Sequence, residues 1–160
     1  MYLICTTTTL AFMDQINKSF GFQLNFTTRN MRRYSNDALK RANLDITVDH
    51  WGILRILEEN NGQLNASQLS STMLKDKPTV TRMIDVIVKK KLVERIPDPN
   101  DRRATIIQLT KAGYARAKSA RSVVSKVRTD MSQQLTERDF KDLERILTRI
   151  NSAIDLSNSH

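Results

Sequence analysis

The apolar positions of the chain fall into two kinds of repeat. Between residues 20 and 43, Phe20, Leu24, Met31, Ala38 and Ala42 recur at spacings that fit one face of a long helix, interrupted at Thr27 and Thr28. Thr47 suits the N-cap of a second helix, VDHWGILRILEEN, on which Trp51, Leu54 and Leu57 form a broad stripe. Asn60-Asn61-Gly62 ends it. Asn65, with Gln68 three residues on, has the form of a capping box and opens a short third helix with Leu69 and Met73 inward. Lys75-Asp76 reads as a tight turn. Pro78 fits the first turn of a fourth helix, whose core face is Val80, Met83, Ile84 and Ile87. The period then changes to two. Leu92–Ile96 and Thr105–Leu109 predict strands, and the prolines, Asn and Asp of PDPNDRRA predict the turn between them. Thr110 caps a fifth helix running to about Gln134, lined by Ala117, Ala120, Val124, Val127 and Met131. Thr136 with Asp139 opens a sixth, striped by Phe140, Leu143, Leu147, Ile150 and Ile154.

This order predicts a mainly α protein with a small β-hairpin, and the scarcity of turn formers (4 Gly and 3 Pro in 160 residues) agrees with it. The length suits one domain over residues 20–156, after an N-terminal extension of residues 1–19. The first 13 residues carry no charge, and four threonines break their apolar run. They fit neither a membrane span nor a secretory signal, so the expectation is a cytoplasmic protein without a membrane partner. Met13 opens a more ordinary soluble sequence and could be an alternative start.

Charge narrows the functional classes. The chain has 26 Lys+Arg against 17 Asp+Glu, a net +9, which favours an anionic partner. Residues 75–103 alone hold nine basic and five acidic groups. One cysteine, Cys5, excludes an intramolecular disulfide framework, and His50 and His160 lack metal-ligating neighbours, so no metal or other cofactor is expected. No nucleophile elbow, phosphate loop or HExxH motif is present, which argues against an enzyme.

Two short helices joined by a tight turn and followed by a hairpin make a winged helix-turn-helix lobe, about residues 47–109. Its second helix can enter a major groove with its N-terminal residues at base edges. Lys77, Pro78, Thr79, Thr81 and Arg82 occupy its first turns, away from the core stripe. The hairpin tip can reach a minor groove, where arginine is favoured. It carries Arg102 and Arg103 beside Asp101, which can hold a guanidinium extended by a charge-assisted hydrogen bond. The helices at about 20–43 and 110–156 have more apolar surface than the lobe can cover, which points to a homodimer.

The residues TVTRMID, LVER, DPNDRR and LTKAG, with ITVDHWGIL upstream, resemble the MarR family of bacterial transcriptional regulators over about residues 20–156. The resemblance implies a homodimer held by the first, fifth and sixth helices. It also implies a repressor on pseudo-palindromic double-stranded DNA, with Arg103 in the minor groove, oriented by Asp101. Thr79, Thr81 and Arg82 would face the major groove, and Ser67 or Gln68 the phosphates. Many such regulators respond to small aromatic or lipophilic compounds, for which a crevice lined by Met31, Tyr34, Trp51 and Leu54 is a candidate. Core filling by the same side chains is the competing reading. The family's usual glycine after the recognition helix is here Lys91, preceded by Lys89 and Lys90. These lysines suit either a phosphate, with Lys89 the leading candidate, or the helix dipole. The first helix lacks the cysteine of peroxide-sensing members. The alternative function is a winged-helix protein-interaction module.

Overall fold

The computed structural model describes residues 19–99 and 105–157. The described elements are helix α1 (Phe20–Arg41), helix α2 (Val48–Glu59), strand β1 (Gln63–Asn65), helices α3 (Ala66–Met73) and α4 (Lys77–Lys89), strands β2 (Val93–Pro97) and β3 (Thr105–Leu109), and helices α5 (Lys111–Ser132) and α6 (Glu137–Ser157). The chain divides into two units, residues 1–124 and 125–160.

In the first unit the strands form one antiparallel sheet in the order β1-β3-β2. The hairpin pairs Val93 with Leu109 and Pro97 with Thr105. Pro97 has no N–H to donate, and it sits at the end of an edge strand, where that is tolerated. Strand β1 adds a third strand to the expected hairpin, pairing Gln63 with Gln108 and Asn65 with Ile106. Three residues are too few for a period to declare itself. The core combines Ile53, Leu54, Ile56 and Leu57 of α2 with Leu69, Val80, Ile84, Ile87, Val93, Ile107 and Leu109.

Caps explain where the helices begin. The Thr47 hydroxyl accepts from His50 N–H, and His50 Nδ1 accepts from Thr47 N–H, so a histidine completes this capping box. Asn65 and Gln68 exchange the same two bonds at 2.9 Å each. Thr136 and Asp139 do so at α6. Four helices end in one way, each with a left-handed residue: Asn43, Asn61, Leu74 and Lys91 have φ of 55°, 57°, 50° and 58°. At Lys91 the Lys91 and Leu92 N–H groups return to the Val88 and Ile87 carbonyls at 2.8 and 3.0 Å. This is the closure that usually selects glycine. The first helix therefore stops at Arg41 rather than 43, because Asn43 has already left helical geometry.

The LTKAG stretch seats α5. Thr110 Oγ1 accepts from Gly113 N–H at 3.0 Å and donates to the Lys91 carbonyl at 2.8 Å. A Cβ on Gly113 would stand 2.0 Å from the Leu92 carbonyl oxygen. In the second unit, α6 keeps an exposed apolar stripe that includes Phe140, Leu143, Ile146 and Ile154.

Candidate nucleic-acid interface

Helix α4 divides its sequence between two faces. Val80, Ile84 and Ile87 are fully buried, which fixes the rotation of the helix on the lobe. That rotation leaves Lys77, Pro78, Thr81 and Arg82 exposed together over the first two turns. Among the described residues Lys77 and Arg82 form no ion pair, and the Arg82 charge acts on Asp76 only at longer range.

The N-terminus of α4 is capped by Asp76, which the sequence pattern alone places in a plain turn. Asp76 Oδ1 accepts from Thr79 N–H at 2.8 Å. This bond, then the Thr79 hydroxyl and the nearby Arg82 charge, hold the Asp76 carboxyl below the usual carboxylate range. An anion thus already stands at the positive end of the helix, where a phosphate would otherwise be drawn. The outward work passes to side chains, and Thr79, half-buried and engaged with Asp76, is less free than Thr81 or Arg82. Asp76 could have been found in the sequence, since an aspartate just before a first-turn proline is an N-cap signal.

Helix α3 differs, because its cap is the neutral Asn65. Ser67 and Gln68 are exposed in its first turn. Gln68 spends its carbonyl on Asn65 N–H and retains its amide donors. At the far end of α4, Lys89 and Lys91 are exposed and Lys90 is half-buried, paired with Asp45. The wing is tied to α4 by Arg95 and Asp85 at 2.6 Å. Asp101, Arg102 and Arg103 lie outside the described residues.

The candidate crevice residues take different places. Leu54 is sealed in the core. Trp51 donates its indole N–H to the Ala117 carbonyl at 3.3 Å, and the Arg55 guanidinium lies 5.9 Å from its ring centre. Met31 and Tyr34 are exposed on α1, with Arg41 over the tyrosine ring at 6.0 Å. A cleft of about 640 Å³ lies elsewhere, between α1, the α1–α2 connection and the end of α4. Its lining includes Asn36, Lys40, Ile46, His50, Val86 and Lys90, and none of the four. Nothing in the apolar periodicity marks this cleft, whose lining mixes Leu44, Ile46 and Val86 with polar residues from three separate stretches of the chain.

Residues 44–104 match the model of the MarR family. The HTH-type transcriptional repressor IacR of Pseudomonas putida is 30% identical over 120 residues, spanning 75% of this chain and 68% of that one. The chain belongs to the MarR family. The multiple antibiotic resistance protein MarR of Escherichia coli K12 is 31% identical over 84 residues, covering 52% of this chain and 58% of that protein. In structure, this MarR-family chain is similar to a mutant E. coli MarR complexed with operator DNA, with a TM-score of 0.76 at 26% identity over 84% of this chain and 96% of that one. The family's members are transcription regulators. Among the described residues, no helix is long and apolar enough to cross a membrane.

Proposed function

We propose that this MarR-family regulator is a homodimeric repressor that binds double-stranded DNA in a sequence-specific way. The observation that carries the reading is the outward face of α4, where Lys77, Thr81 and Arg82 are exposed while the inner face is locked in the core. The relative solved on operator DNA supports the same use of the fold. In this reading Lys77, Pro78, Thr79, Thr81 and Arg82 meet the major groove, Thr79 also serving its cap. Ser67, the Gln68 amide and Lys89 meet phosphates. Arg103 and Arg102, with Asp101 orienting, enter the minor groove. The exposed stripe of α6 is covered by a second copy of the chain. Two copies reading successive major grooves require half-sites about 10 base pairs apart.

Selection of bound sequences from random duplex DNA tests this reading. Enrichment of a palindrome with that spacing is the expected result. Recovery of no duplex above background would overturn it and favour a winged-helix module for protein partners. The wing has its own test. Arg103→Ala weakens binding to all duplexes and flattens the dependence on salt, because a cation that releases counterions is lost. Unchanged affinity with unchanged circular dichroism would remove Arg103 from the interface.

A further inference from the structure

Asp49 stands where α1, α2 and the α3–α4 turn meet. It lies in the first turn of α2, and its Oδ1 faces Arg32 of α1 at 3.3 Å and Lys75 of the α3–α4 turn at 3.8 Å. The side chains of Asp49 and Lys75 are each only 25% exposed. The same corner is pinned by the Asn36 side chain, whose Oδ1 accepts from Val48 N–H at 2.8 Å. Four residues earlier, Asp45 pairs with Lys90 just beyond α4. The residues flanking the recognition helix, Lys75 before it and Lys90 after it, are therefore tied to Asp49 and Asp45.

The turn so held is a costly one. Leu74 is left-handed at φ 50° and 93% exposed, so it gains no burial in return for the strain. Local bonds maintain it: Lys75 N–H returns to the Ser70 carbonyl at 3.2 Å, and the Ser70 hydroxyl donates to the Lys75 carbonyl. These bonds fix the turn on α3, and the Lys75 ammonium reaches from it to α2. The direction in which α4 leaves the turn decides where Lys77, Thr81 and Arg82 point. An isolated surface ion pair would do little here. A carboxylate shared by two cations from different elements, and partly withdrawn from water, restrains the angle between those elements.

We propose that Asp49 is a positioning residue for DNA recognition, bridging Arg32 and Lys75 so that the exposed face of α4 is presented at a fixed angle to α1. The proposal rests on the DNA-binding reading above. Its consequence runs against charge alone. Asp49→Asn adds one unit to a chain already at +9, and simple electrostatics then gives tighter binding to every duplex. Positioning gives the opposite on the preferred site.

The test measures affinity for the selected duplex and for random duplex of equal length, at one salt concentration, with the full chain. Asp49→Asn weakens the selected duplex by about three- to five-fold, the upper end of what an exposed ion pair contributes, while random duplex is held as well as before or better. Lys75→Gln, which changes charge the other way, weakens the selected duplex by the same factor. The double variant is no weaker than either single one. Tighter or unchanged binding of Asp49→Asn to the selected duplex overturns the proposal. So do additive losses in the double variant, which would put Lys75 on the DNA by itself. If Asp49→Asn loses its helical circular dichroism, Lys75→Gln and Arg32→Gln carry the comparison, and full specificity in both overturns the proposal. Failure of the parent chain to select any duplex overturns the DNA-binding reading itself, and the positioning role with it.

Discussion

Helices α4 and α6 are written in the same amphipathic code and meet opposite ends. The stripe of α4, Val80, Ile84 and Ile87, is wholly covered by its own lobe. The stripe of α6 leaves Phe140 42% and Ile154 52% exposed, with Leu143 and Ile146 between them. Periodicity states that a face wants covering and is silent on what covers it. In α4 the cover is intramolecular, and the opposite face is thereby released for recognition. In α6 the cover is a second copy of the chain, under the dimer proposed above.

The contrast is most strongly tested in the α4 stripe. Ile84→Ala should destabilise the lobe by about 2–5 kcal/mol, since a buried branched side chain leaves both lost transfer energy and a cavity. Chemical denaturation should show this loss at every protein concentration. Gly113→Ala should follow, at roughly 1–3 kcal/mol, because its Cβ would meet a backbone carbonyl rather than a side chain that can move. A melting temperature equal to the parent's would mean that α5 is not seated on the α4–β2 turn.

On α6, Leu143→Glu should barely alter the stability of the lobe and should instead abolish association. Light scattering at micromolar concentration should give twice the 18.4 kDa chain mass for the parent and one chain mass for the variant. A parent already at one chain mass would separate the α6 stripe from dimerisation. Lys91→Gly should have a smaller effect, raising stability by up to about 1 kcal/mol. Relief of the left-handed strain exceeds the added freedom of the unfolded chain.

The gentlest test is pH. Burial lowers the pKa of His50 below the ordinary imidazole range; the Asp49 charge opposes this shift and the Lys90 charge reinforces it. The folded state therefore prefers the neutral ring, whose Nδ1 accepts from Thr47 N–H. Its contribution is full above the ordinary imidazole pKa and declines as pH falls through that value toward the lowered one. Stability measured between neutral and mildly acidic pH should fall, and His50→Gln, which can keep the capping bond without titrating, should flatten that slope. An equal slope in both chains would assign the pH dependence to other groups.

The helix order, the hairpin and most caps were legible because each rests on local chemistry. Thr47, Asn65, Thr110 and Thr136 each cap a helix through a bond to a residue three positions on. The exposed positions of α4 were legible for a related reason, as whatever the core stripe leaves over. What escaped was small or non-local. Strand β1 has three residues, and its partner lies some forty positions away. The aspartates at 45 and 49 belong to no motif or stripe, and their partners Lys90, Arg32 and Lys75 are brought to them by the fold. The surroundings of the candidate crevice residues were likewise not legible from a shared stripe. Trp51 and Leu54 share a stripe, yet one is drawn toward Ala117 and the other into the core.

The central claim, that the outer face of α4 reads sequence, is tested most directly by Arg82→Ala. Its affinity is compared with the parent's on the selected duplex and on random duplex at identical salt. The expected loss is roughly 1–3 kcal/mol on the selected duplex and much less on random DNA, so that the ratio between the two narrows. Equal losses on both duplexes would make Arg82 a phosphate contact. No loss on either, with unchanged circular dichroism, would contradict the claim.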